Sequence, residues 1–194
     1  MKLDLCENDF AMFLYALQFA AMHHADQRRK GGSHAPYINH PINVTMELWR
    51  TGGVRDIVTL TAALLHDTIE DTDASPEEIH QLFGEEVLNI VLEVTDDKSL
   101  PKAERKRLQV VNAPLKTPRA RRIKLADKIN NVFEIAHDPP ADWSLARRRE
   151  YLDWTKQVID GLRGQNPALE ARFDGVLAEA RVLLAADEKK LDQN

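Results

Sequence analysis

The sequence predicts an all-α protein, a single compact multi-helix domain, and three observations carry that reading. Apolar residues recur at spacings of three and four along most of the chain. Prolines, glycines and capping residues fall where helices begin and end. No Gly-rich phosphate loop or strand–glycine–helix sequence occurs, which removes support for Rossmann and P-loop nucleotide folds.

Taken in order, Phe10, Phe13, Leu14, Leu17, Ala20 and Ala21 define a first helix from Asn8 or Asp9 to Arg28. "RKGGSHAPYINHP" is a loop, because Gly31–Gly32 and Pro36 discourage a helix. Pro41 suits a first turn, and that helix ends near Gly52–Gly53. An apolar helix follows over Val54 to His66. Ser75, Pro76 and Glu78 form a capping signal for a short helix that stops at Gly84. Val87, Ile90, Val91 and Val94 share the face of the next one. Pro101 opens a basic helix to about Ala113, and Pro118 opens another through Ala136. Ser144 caps a helix to about Leu162. Pro167 begins the last, with Phe173, Val176, Leu177, Ala180, Leu183 and Leu184 on its apolar side. One domain spans residues 1–186, and residues 187–194 are expected to fray.

The 194 residues, 43% hydrophobic and 29% charged, suit one globular domain with a sizeable core. Nothing approaches 18 consecutive apolar residues, so no membrane partner is expected. Acids interrupt the N-terminal apolar stretch where a signal peptide needs continuity, so the expected location is cytoplasmic. The single cysteine, Cys6, cannot form an internal disulfide or a cysteine cluster. Net charge is −5, yet Lys98 to Lys128 holds eleven basic residues against Glu104 and Asp127. Such a segment focuses an anionic ligand or simply solvates helix faces. No aromatic residues interleave it, so nucleic acid is not an expected partner. Monomer and homodimer both remain compatible with the sequence.

The chemistry concentrates in "HDTIED", His66 to Asp71, at the end of the apolar run "IVTLTAALL". His66 and Asp67 point roughly 100° apart on a helix, which converging side chains around one ion tolerate. Glu70 returns to the same side if the helical turn persists. A histidine favoured by the helix dipole is the bland alternative, but Asp67 and Asp71 fit a C-terminus poorly. His40, between a loop and a proline-started helix, and Asp127, in "IKLADKINN", could complete a divalent-metal site. His23, His24, His34 and His80 compete as ligands, and Mn²⁺, Fe²⁺ and Zn²⁺ all suit two histidines and two carboxylates.

"HADQRRKGGSHAPYINHPINV", "AALLHDTIEDTD", "EVTDDKSLPKAERKRLQV" and "IKLADKINN" occur in the order seen in the HD-domain hydrolases of the RelA/SpoT group. More narrowly, the chain resembles the small stand-alone alarmone hydrolases, from Phe19 to about Gly164. The resemblance implies an HD-type metal-dependent phosphohydrolase with His40, His66, Asp67 and Asp127 as metal ligands and Mn²⁺ as the cofactor. The implied reaction releases pyrophosphate from the 3′ position of guanosine tetra- or pentaphosphate, leaving GDP or GTP and degrading the stringent-response alarmone. Glu70 and Asp71 match the catalytic acidic pair. Arg29, Asn131 and Tyr151 match substrate-contacting positions, with Arg29 expected to stack on the base and Lys30, beside it, expected to bind substrate too. Relatives commonly carry an arginine where this chain has Phe133, which bears on phosphate binding or substrate preference. The competing readings are a phosphatase acting on another phosphorylated nucleotide, such as the 2′-phosphate of NADPH, and a nonenzymatic alarmone sensor.

Overall fold

The computed structural model describes residues 9–191; Cys6 and an Asn8 start of the first helix lie outside the described residues. The described residues form α1 (Asp9–His23), α2 (Asn39–Arg50), α3 (Ile57–Leu65), the single turn α4 (Thr68–Asp71), α5 (Pro76–Val94), α6 (Lys102–Asn112), α7 (Pro118–His137), α8 (Leu145–Leu162) and α9 (Pro167–Leu191). A 3₁₀ turn over Ala113–Leu115 joins α6 to α7, and no helix is long and apolar enough to cross a membrane.

Two helices organise the rest. In α3 every residue from Thr59 to Leu65 is buried, as expected of a segment apolar on all sides. In α7 Ile123, Leu125, Ala126, Ile129 and Val132 are buried, and the helix packs against α2, α5, α8 and α9. Phe173, Val176, Leu177, Ala180 and Leu184 line the inner side of α9 at helical spacing. These elements share one apolar core.

The proline and serine starts fall where the sequence places them. Pro76 and Pro118 stand in first turns, and Ser144 accepts from the Arg147 N–H. At Ser75 the box is complete: its hydroxyl accepts from Glu78 N–H at 3.2 Å, and Glu78 accepts from Ser75 N–H at 2.9 Å. Replacing Ser75 by Ala should cost about 1 kcal/mol. The check is the urea midpoint, which should fall while metal binding is unchanged. Gly84 breaks α5 at φ 84°, ψ 171°, so the predicted stop is a kink between 76–83 and 85–94.

Three boundaries differ from expectation. The first helix ends at His23, five residues before Arg28, because His24 turns into the core. There its ring stacks on Tyr37, 4.7 Å between centroids, and Tyr37 N–H bonds to the Gln27 carbonyl at 3.0 Å. The apolar helix covers Ile57–Leu65 rather than Val54 to His66. Asp56 is extended at its start, accepting from the Thr59 hydroxyl at 2.6 Å. At its end Thr68 Oγ1 donates to the Leu65 carbonyl at 2.7 Å, which caps α3 and starts α4 as a separate turn. Lastly, α9 runs to Leu191, into the stretch expected to fray, with Arg148 3.6 Å from Asp187 and Arg149 paired with Glu188.

Candidate active site

His66 and Asp67 occupy the break between α3 and α4, the one place where an apolar helix can present two adjacent polar side chains inward. His66 Nδ1 lies 2.8 Å from the Ala63 carbonyl, which fixes the proton on Nδ1 and leaves the Nε2 lone pair free. That Nε2 is buried without a hydrogen-bond partner among the described residues, 3.1 Å from Asp67 Oδ2. A buried nitrogen aimed at a carboxylate oxygen without bonding to it is what an ion-binding position looks like.

His40 enters from the first turn of α2, and its Nε2 lies 3.6 Å from Asp67 Oδ2 and 3.2 Å from Asp127 Oδ1. Asp127 comes from the middle of α7. His40, His66 and Asp67 can offer three ligand atoms within 4.8 Å of one another, and Asp127 adjoins them through His40. The converging set, two imidazoles and one carboxylate, fits a divalent metal, and Asp127 stands beside it outside that group.

The electrostatics agree with that fit. Burial alone would raise the Asp127 carboxyl, but Lys128, at 3.1 Å, with His40 and Lys124 holds it well below the usual carboxylate range. Burial likewise opposes the charge on Asp67, and His66 and His40 keep it ionised. Burial pushes His40 down, towards the neutral imidazole a metal needs. His66 is drawn up instead, because Asp67 and Asp127 outweigh its burial. A strongly negative potential therefore surrounds Nε2, which a cation relieves.

Above this cluster lies a cleft of about 680 Å³ whose walls include Tyr37, Glu70, Asp71, Asn131 and Tyr151. Tyr37 and Asn131 connect the cleft to the cluster. The Tyr37 hydroxyl donates to Asp67 at 2.7 Å and to Asp71 at 3.1 Å, and burial raises its pKa so that it stays a donor. Asn131 Nδ2 donates to Asp127 Oδ1 at 2.5 Å.

Glu70 and Asp71 leave α4 towards the cleft with different partners. Burial raises the Glu70 carboxyl, partly offset by the Asp96 N–H it accepts at 2.9 Å. Asp71 pairs with Lys98. A half-buried carboxylate of raised pKa beside a metal-binding cluster is equipped to take a proton from water.

The cations divide by partner. Arg28, Arg29, Lys30, Lys98, Lys102, Arg105, Lys106 and Arg147 line the cleft. Elsewhere in the basic 98–128 segment, Arg107 pairs with Glu104, Arg119 with Asp56 and Glu86, and Lys116 donates to the Glu93 carbonyl. Lys128, the last cation of that segment, is buried against Asp127 with its ammonium 4.9 Å from the Trp154 ring centre. Its charge belongs to the cluster rather than to the cleft.

Arg29 donates through Nε to both Glu134 oxygens, at 2.8 and 3.1 Å, and through Nη2 to Asn131 at 2.8 Å. Its guanidinium also lies 5.2 Å from the Tyr37 ring centre. Lys30 and Tyr151 line the cleft without direct contact to the cluster. Of the competing histidines, His24 is buried with Nδ1 2.6 Å from Gln27 Oε1, and His23 pairs with Asp73 at 2.9 Å. Phe133 is exposed, its ring 4.3 Å from that of His137, and it does not line the cleft.

Sequence reasoning missed Tyr37, Lys124 and Glu134 as working parts. Tyr37 stands inside the quoted "PYINHP", but an aromatic beside a proline gives no sign of which carboxylates its hydroxyl reaches. Lys124 is buried one turn before Asp127, and three-residue spacing on one helix was its available signal.

A model of the HD domain family matches residues 16–153. The chain is 50% identical over 167 residues to guanosine-3′,5′-bis(diphosphate) 3′-pyrophosphohydrolase MESH1 of Xenopus tropicalis, covering 86% of this chain and 93% of that one. To the Homo sapiens MESH1 it is 50% identical over 163 residues, 84% and 91% of the two chains. A solved structure, described as a metazoan ortholog of SpoT that hydrolyzes ppGpp and plays a role in starvation responses, superposes with a TM-score of 0.85. It is 48% identical over 87% of this chain and 95% of its own. By sequence and by fold, this chain belongs to the HD-domain family, in the group that includes the MESH1 pyrophosphohydrolases.

Proposed function

We propose that this protein hydrolyses guanosine 3′,5′-bis(diphosphate), and the corresponding pentaphosphate, to pyrophosphate and GDP or GTP. The metal would be Mn²⁺, held by His40, His66, Asp67 and Asp127. The observation that carries the reading is the stacking of functions: a buried His/Asp cluster, a raised carboxylate next to it, and a cation-lined cleft above both. A polyphosphate needs all three, whereas a sensor would have no use for the first two.

When bound, a divalent ion supplies Lewis acidity, making water more acidic and phosphorus more electrophilic. Glu70 accepts the proton of the attacking water, its raised pKa making it a better base than an exposed carboxylate. Asp71, held by Tyr37 and Lys98, orients that water. Water oxygen joins phosphorus, the bond from phosphorus to the ribose 3′ oxygen breaks, and that oxygen leaves as a hydroxyl with the proton that Glu70 gives back. Asn131 positions Asp127 and, with Arg29, Lys30 and Tyr151, lines the region where the nucleoside would sit. Lys102, Arg105 and Lys106 balance phosphate charge from α6.

Metal-free protein incubated with guanosine tetraphosphate should be inactive, and added Mn²⁺ should give GDP and pyrophosphate in equal amounts. Orthophosphate as the product, or faster release of orthophosphate from NADPH in a parallel reaction, would replace this substrate with another phosphorylated nucleotide. Tight binding without turnover would make the protein a sensor.

A further inference from the structure

The segment between α1 and α2 brings Arg29 and Lys30 to the cleft, yet little regular structure holds it. One isolated antiparallel bridge joins Arg28 to Pro36, and Arg29 N–H donates to the Ala35 carbonyl at 2.8 Å. Beyond that bridge the tip of the loop rests on the end of α7. Ser33 N–H faces both Asp138 carboxylate oxygens, at 3.2 and 3.3 Å, and Ser33 Oγ donates to Oδ2 at 2.6 Å. Gly31 is buried against the same residue. A Cβ there would stand 2.3 Å from Asp138 Oδ2 and 2.5 Å from its carbonyl oxygen, so the contact requires glycine. Glu134, one turn earlier on α7, holds Arg29. Two acids four residues apart, one in α7 and one just past its end, thus fix both the base and the tip of the loop.

We propose that Asp138 is a positioning residue for substrate binding: by seating the Gly31–Ser33 tip on α7, it sets where Arg29 and Lys30 stand in the cleft. The proposal rests on the reading of that cleft as the polyphosphate site. It makes the loop rigid before substrate arrives, so ordering it does not subtract from affinity. Removing the seat leaves the metal cluster, Glu70 and Asp71 in place, and the loss falls on binding rather than on chemistry.

The test uses Asp138→Ala and Gly31→Ala, which attack one contact from its two sides, with Ser33→Ala as a mild third variant on an exposed residue. In the full chain with Mn²⁺, KM for guanosine tetraphosphate should rise about tenfold in the first two, the equivalent of one charge-assisted hydrogen bond. Values of kcat and bound metal should stay within about twofold of the parent, and Asp138→Asn, which keeps an acceptor for Ser33, should restore most of the KM. Trypsin should cut the folded Asp138→Ala and Gly31→Ala proteins after Arg28, Arg29 or Lys30 about tenfold faster, a readout that needs no substrate. Faster cleavage with an unchanged KM, or a fall in kcat with KM unchanged, would overturn the proposal. Failure of the parent protein to release pyrophosphate would overturn the functional reading, and the proposal with it, while cleavage rates still report whether the tip is clamped.

Discussion

His66→Ala and Asp127→Ala should each lose bound divalent metal and hydrolysis together. One residue lies in the break after α3 and the other in α7, so a shared loss identifies a common centre rather than a local defect. In His66→Ala, the nitrogen that faces Asp67 without a hydrogen bond disappears, leaving the half-buried Asp67 and the buried Asp127 as anions. In Asp127→Ala, Lys128 loses the carboxylate 3.1 Å away and stays buried as a cation against Trp154. Turnover should fall by at least about a thousandfold, the scale at stake when a hydrolase loses its Lewis acid. Metal content by mass spectrometry and binding by calorimetry check the first half, and pyrophosphate release the second. Far-ultraviolet circular dichroism separates the effect from unfolding, since each residue is buried and each change leaves a cavity. A purified variant that keeps both metal and near-parent turnover would remove that residue from the centre.

The polar cluster was half legible in the sequence, and the division follows distance along the chain. His66 and Asp67 announce themselves because two polar side chains end an apolar helix, a local contradiction with local visibility. His40 and Asp127 lie on other helices, and nothing in their neighbourhoods distinguishes a ligand from a satisfied core histidine or a buried aspartate. Linked motifs, not spacing, selected them. The Gly84 break was legible because one residue must adopt a positive φ there. The early end of α1 was not, because His24 leaves the helix for a stack on Tyr37 that only the folded chain supplies. Charge behaves the same way. The sequence shows eleven cations between Lys98 and Lys128 but not that Lys128 turns inward to Asp127 while Lys98 and Lys102 face the cleft. The Ser33–Asp138 clamp spans 105 residues and joins two loop-like segments, so composition had no means of pairing them.

Glu70→Gln should retain the metal and slow the chemistry, by about 10² to 10⁴-fold in kcat, the usual contribution of a positioned general base. The substitution is close to isosteric, and its amide oxygen can still accept the Asp96 N–H that Glu70 accepts at 2.9 Å. The single-turn α4 and the break that presents His66 and Asp67 therefore keep their shape, and metal binding reports that directly. Arg105 stands 3.9 Å from the other Glu70 oxygen, too far for a strong pair, so little charge compensation is lost. The pH profile sharpens the assignment. Burial raises the Glu70 pKa, and the base works only when deprotonated, so the parent's activity should decline on acidification from above the ordinary carboxylate range. In Glu70→Gln that limb should vanish from the residual rate, because the amide does not titrate. A limb that persists unchanged would assign the proton to another group, with Asp71 the adjacent candidate. Unchanged turnover would leave Glu70 only its bond to Asp96, a structural tie between α4 and the segment after α5.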